Sequence, residues 1–173
     1  MKKINLLIFV FAIITKLSYG QTLKADAVVK ANNLTYSTTS NSNNNLVINN
    51  VNNKLQNRKP KLSPTAINYF EKKDKTALLK VFNKVFTTTR IKELLPENGI
   101  FINFYVNPQG KVLEVNFSLH KNTLITPIEL EQLETEIKRD VTFDLQPKET
   151  KGGDFFVFSE FIRYSRVLDG SLQ

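Results

Sequence analysis

The stretch Ile100 to Phe117, IFINFYVNPQGKVLEVNF, limits what this chain can fold into more than any other. Ile100, Ile102, Phe104 and Val106 alternate with Phe101, Asn103, Tyr105 and Asn107, the period of two that sends successive side chains to opposite faces of a strand. Asn107-Pro108-Gln109-Gly110 suits a type I turn, with Asn first, Pro second and Gly fourth. The return strand places Leu113, Val115, Phe117 and Leu119 on one face and Glu114, Asn116, Ser118 and His120 on the other. This pattern predicts an antiparallel hairpin with one face on a core and the other at least partly wet.

Helical patterns flank the hairpin. Upstream, Ser63 before Pro64 fits an N-cap with proline at the first helical position, and Leu78, Phe82, Val85 and Phe86 fall on one helical face. Asp74 is a second candidate cap, so one broken helix and two short ones both fit. Downstream, Thr126, Pro127 and Glu129 combine a capping box with a first-turn proline. Leu130, Leu133, Ile137 and Val141 form the apolar stripe there, while Glu131, Glu134, Glu136, Lys138 and Arg139 are expected to face water. Gly152-Gly153 then breaks the chain before FFVFSEFIRYSRV, residues 155 to 167, read as one long final strand.

The expected fold class is therefore α+β. One or two helices precede a ββαβ core whose three-stranded antiparallel sheet has the order 2-1-3, with the helices packed on one face. A right-handed crossover after the second strand returns the third beside the first. The domain so defined covers residues 61 to 173.

Two segments precede it. Residues 1 to 20 carry Lys2 and Lys3, an apolar run from Ile4 to Ile14, and the small residues Ser18 and Gly20 before Gln21. This is the pattern of a secretory signal peptide cleaved between Gly20 and Gln21, giving a periplasmic or secreted protein. The run is well short of the roughly 20 apolar residues a spanning helix needs. The alternative is an uncleaved inner-membrane anchor. Residues 21 to 60 hold eleven Asn and few large apolar groups, a composition expected of a flexible tether.

Charge and composition remove several functions. The net charge is +8, but residues 1 to 20 hold three Lys without an acid, and residues 21 to 60 hold Lys24, Lys30, Lys54, Arg58 and Lys59 against Asp26 alone. The domain keeps 16 basic and 15 acidic residues, so no basic face for nucleic acid is expected. With no Cys there is neither a disulfide framework nor a thiol site. The acids at 129, 131, 134 and 136 spread around a helix rather than forming a cage, and no glycine spacing matches a phosphate-cradling loop. No metal, cofactor or small-molecule substrate is expected. His120 is the one histidine, on the same strand face as Ser118 and about 7 Å from it at the backbone. A secreted enzyme working through His120 is the remaining catalytic alternative to a non-enzymatic protein.

Over roughly residues 76 to 167 the chain resembles the C-terminal domain of TonB-like proteins. The matching features are Gly99 before the strand IFINFYVN, the PQGKV turn, the strand VLEVNF, a helix ending into Phe143 with Pro147 following, the Gly-Gly turn and the final strand. The resemblance implies a domain that adds an extended peptide from a cell-envelope protein to the edge of its sheet. By position the binding edge is Phe155, Phe156, Val157, Phe158, Ser159, Glu160, Phe161, Ile162, Arg163 and Tyr164. The same edge could serve a homodimer. Alternatively, its aromatics fill the core while Glu160, Arg163 and Arg166 guard the strand against pairing. A membrane-anchored energy transducer is the second functional reading that the resemblance implies. As an extended chain, the forty-residue tether would reach roughly 130 Å.

Overall fold

The computed structural model describes residues 22–43, 45–61, 70–145 and 152–172. The expected signal peptide with its Gly20-Gln21 junction, and the Ser63-Pro64 helix start, lie outside them.

The hairpin forms where the alternation places it, as β5 (Gly99–Val106) and β6 (Val112–His120). Gly110 N–H donates to the Asn107 carbonyl at 2.9 Å, and the Asn107 side chain accepts from Gln109 and Lys111 N–H. Gly110 has φ +82°, the left-handed region that glycine enters at no steric cost. A Cβ there would also sit 1.9 Å from the Phe143 carbonyl oxygen, so the turn docks backbone to backbone on the chain beyond it. Pairing slips by one residue at the turn end, where Tyr105 faces Glu114 but Val106 faces Val112. This bulge turns Leu113 away from the main core, in place of the core-facing position the simple alternation assigns it.

The expected three-stranded sheet is overturned. The strands form a six-stranded antiparallel sheet in the order β1-β2-β3-β6-β5-β8, in which β8 is Phe156–Arg163, accompanied by a separate two-stranded sheet of β4 (Phe70–Lys72) and β7 (Phe143–Leu145). The three additional strands are β1 (Ala27–Lys30), β2 (Thr35–Ser40) and β3 (Asn45–Asn50), all within the segment expected to be a tether. They form a meander joined to the domain through β3, whose Leu46 faces Leu119 and Ile48 faces Phe117 on β6. Composition misled because a strand needs an apolar residue at only every second position. Tyr36, Leu46 and Ile48 are at most 1% exposed, and they suffice. The Asn, Ser and Thr residues between them occupy the opposite face or hydrogen-bond inward.

Helix α1 (Ala77–Val85) buries Leu78, Val81 and Phe82, and α2 (Thr88–Leu94) begins at Thr87, whose hydroxyl accepts from Arg90 N–H. A single 3₁₀ turn, Leu95–Glu97, leads into β5. Helix α3 (Pro127–Asp140) carries the full capping box at Thr126 and Glu129 and lies across β6, packed on α1. Its polar residues do not all face water, a second correction. Glu131 and Glu134 are 8% and 1% exposed because the meander covers them. Glu131 accepts from the backbone N–H groups of Asn32 and Asn33 and from the Asn33 side chain, at 2.7 to 3.1 Å. Glu134 accepts from the Tyr36 hydroxyl at 3.0 Å and the Asn50 amide at 2.9 Å.

The short sheet pairs β4 (Phe70–Lys72) with β7 (Phe143–Leu145). The last strand, β8 (Phe156–Arg163), is shorter than expected, because α4 (Tyr164–Leu168) begins where the strand was expected to run on. Tyr164 and Val167 drop into the core there, and α4 packs on α2. No helix among the described residues is long and apolar enough to cross a membrane.

Candidate functional site

The ten residues of the expected binding edge separate into four environments. Phe155 precedes the strand and is buried against Tyr105 and Leu55, with the Arg58 guanidinium 5.5 Å from its ring centre. Phe156, Phe158 and Ile162 belong to the main core. Glu160 lies on that same side, held by Lys72 of β4 at 2.8 Å. It therefore clamps the short sheet beneath β8 rather than guarding the edge. Tyr164 begins α4, fully buried, and its hydroxyl has no hydrogen-bond partner among the described residues; burial pushes that hydroxyl well above its ordinary range. Val157, Ser159, Phe161 and Arg163 remain on the face turned away from the helices.

The register shows where their backbone groups point. Tyr164 N–H donates to the Asn98 carbonyl, and β8 pairs with β5 in continuous register from Gly99 opposite Arg163 to Val106 opposite Phe156. In an antiparallel ladder, hydrogen-bonded and non-hydrogen-bonded pairs alternate. The even-numbered residues of β8 therefore bond to β5. Val157, Ser159, Phe161 and Arg163 direct N–H and C=O outward, with no backbone partner among the described residues.

Phe161 sits opposite Phe101 in one of the non-hydrogen-bonded pairs, where side chains approach most closely. Their ring centres are 6.3 Å apart, and the two residues are 41% and 39% exposed. Gly99 is what lets the Phe161 ring lie across the strand. A Cβ at Gly99 would come within 2.9 Å of the ring tip and 2.2 Å of the Ile162 carbonyl.

Beside the aromatic pair, a row of polar side chains crosses the sheet. Ser159 donates to Asn103, the Asn103 amide donates to Asn116 at 2.6 Å, and the Asn116 amide donates to the Tyr105 hydroxyl at 3.2 Å. Beyond this row, residues 51 to 61 fold back over the sheet and place Leu55 on Tyr105 and Phe155. Arg58 and Lys61 N–H anchor that segment to Asp154. One end of the face is thus covered. The end holding Phe101 and Phe161 is open and forms a shallow groove of about 540 Å³ that reaches Asn45, Ser118 and His120.

His120 is exposed at the end of β6, with its Nδ1 accepting from Asn122 N–H at 3.3 Å. Ser118 lines the same groove, but no hydrogen bond joins the two among the described residues. The nearby carboxylate of Glu97 is committed to the Thr123 hydroxyl and Leu124 N–H, both at 2.6 Å. Among the described residues, no hydrogen bond joins His120 to a nucleophile or to an orienting acid. The α3 acids are likewise engaged. Glu129 binds Arg90, Glu136 binds Lys84 and Arg139, and Glu131 and Glu134 hold the meander. No group of three or more metal-ligating side chains occurs among the described residues.

Sequence reasoning missed the groove, since one wall comes from β3 and the β2–β3 turn. The alternation in NLVINN, Asn45 to Asn50, was the available signal.

No family model matches the chain, and no curated protein matches it. A crystal structure of a DUF5043 family protein from Bacteroides uniformis ATCC 8492 superposes with a TM-score of 0.67. It is 15% identical, and the match covers 84% of this chain and 89% of that one. A likeness at that identity reaches the fold and stops there: the chain shares an α+β architecture with that protein.

Proposed function

We propose that the protein is an exported, non-enzymatic interaction module that binds an extended segment of a cell-envelope protein along β8. One observation carries this reading. Alternate residues of the terminal strand, Val157, Ser159, Phe161 and Arg163, turn N–H and C=O groups outward, which is the template for β-augmentation. The partner strand gains main-chain hydrogen bonds along this edge, and Phe161 gives its side chains an apolar contact. Residues 1 to 20 supply the export signal in this reading, and the TonB-like resemblance supplies the analogy for the partner.

The test is selection of ten-residue peptides from a random display library on the immobilised protein. Peptides of strand pattern should emerge, and hydrogen exchange at Ser159 and Phe161 should slow when they bind. Phe161→Pro removes an outward N–H without touching the β5 ladder, so it should abolish capture while the fold persists. Capture that survives in a folded Phe161→Pro variant would end this reading. Export is tested separately, by the intact mass of the protein from fractionated cells, which should begin at Gln21.

A further inference from the structure

We infer that the groove at the open end of the sheet is a binding site for an uncharged saccharide. Its floor is the Phe101–Phe161 pair, fixed in place because Gly99 leaves room for the Phe161 ring. The ring faces are negative and attract the C–H bonds that cluster on one face of a sugar ring. Around them stand neutral groups that can both donate and accept, which suits hydroxyls. The side chains of Asn45 and Ser118 make no hydrogen bond to any described residue. Asn41 accepts through Oδ1 from the N–H groups of Asn43 and Asn45, which leaves its amide N–H₂ to donate.

Charge selects among ligands. No Lys or Arg lines the groove among the described residues and its one basic side chain is His120, so a phosphate or carboxylate meets no fixed positive charge there. Among the described residues Glu97 is its one acid, and both carboxylate oxygens are engaged by the loop beyond β6. A cation therefore has no free partner either. An aromatic floor with neutral amide and hydroxyl walls fits a neutral, hydroxyl-rich ligand. This site uses side chains on the face of the sheet, and so does not rest on peptide capture at the backbone edge of β8.

The experiment is calorimetric titration of the full chain with cellohexaose, maltohexaose, chitohexaose and mannohexaose, and with tetragalacturonate as an anionic probe. The expected result is saturable binding of at least one neutral oligomer, weakened at least tenfold by Phe161→Ala. Ser118→Trp fills the groove from β6, two strands in from the edge. It should abolish sugar binding while leaving peptide capture at β8 unchanged, which separates the two sites. The inference is overturned if no neutral oligomer binds or if folded Phe161→Ala and Ser118→Trp variants bind as well as the parent. Tighter, salt-sensitive binding of tetragalacturonate would overturn it equally.

Discussion

The hairpin β5–β6 and the meander β1–β3 lie in one sheet, yet they hold their places by different means. The hairpin carries its own instructions: strict alternation, a turn whose residues fit its geometry, and Ile100, Ile102, Phe104, Val115 and Phe117 in the core. The meander has a thinner apolar stripe. Beside its ladder to β6, it is held by two carboxylates of α3, Glu131 and Glu134, that accept hydrogen bonds from its turn and inner face. A strand that specifies itself can be read locally. A strand specified by a distant helix cannot.

This contrast can be broken from either side. The largest effect is expected from Phe104→Ala, since a fully buried ring that packs edge-on against Phe143 is replaced by a cavity. A loss of about 4 kcal/mol, read by urea unfolding, should appear as one cooperative transition. Equal loss of hydrogen-exchange protection in all six strands would accompany it. If the meander stayed protected while the hairpin opened, the hairpin would not be the organising element.

Glu134→Ala comes next. It leaves the buried Tyr36 hydroxyl and Asn50 amide without their acceptor, at a cost of about 3 kcal/mol. Here the damage should be local, with β1 to β3 losing exchange protection before β5 and β6. Uniform loss across the sheet would contradict separate anchoring.

A smaller effect is expected from acidification through Glu131. Burial pushes its pKa up, but the N–H groups of Asn33, Asn32 and Leu34 outweigh this and hold the carboxyl below its ordinary value. A carboxyl lowered on folding stabilises the protein above the unfolded value, about 4.3, and that contribution fades as pH falls through the folded value. Glu131→Gln should therefore cost stability at neutral pH and flatten the acid limb of the stability curve. An acid limb identical to the parent's would remove Glu131 from the account.

The smallest effect belongs to the groove. Phe101→Ala should change stability by less than about 1 kcal/mol, because the ring is already 39% exposed. A larger loss by thermal unfolding would make the aromatic pair structural and weaken its claim to a ligand.

Which parts were legible in the sequence follows from the same contrast. The hairpin, its turn and the α3 capping box are visible because local residues determine them. The meander was hidden because NNLTYSTTSNSNNNLVINN averages to a polar composition, while its stripe of Tyr36, Leu46 and Ile48 appears only when alternate positions are separated. Glu131 and Glu134 read as solvated for a related reason. Nothing near them in sequence reveals that Asn33, Tyr36 and Asn50 arrive from far upstream. Within the candidate site, the β8 edge was visible as an aromatic run, but which residues turn backbone groups outward required the register. The groove needed both strand sets assembled.

The anchoring of Tyr36 to Glu134 spans 98 positions, and this sets an order in time. A ribosome adding about 5 to 20 residues per second emits the meander roughly 5 to 20 s before the helix that will hold it. Through that interval the first strands of the sheet are the last that can be placed. A sticky, β-branched sequence waiting that long would invite pairing with neighbouring chains. The Asn and Ser residues at alternate positions leave the waiting segment only a thin apolar stripe, and it is still a serviceable strand once a template exists. The composition that disguises the meander also keeps its apolar surface small while it waits.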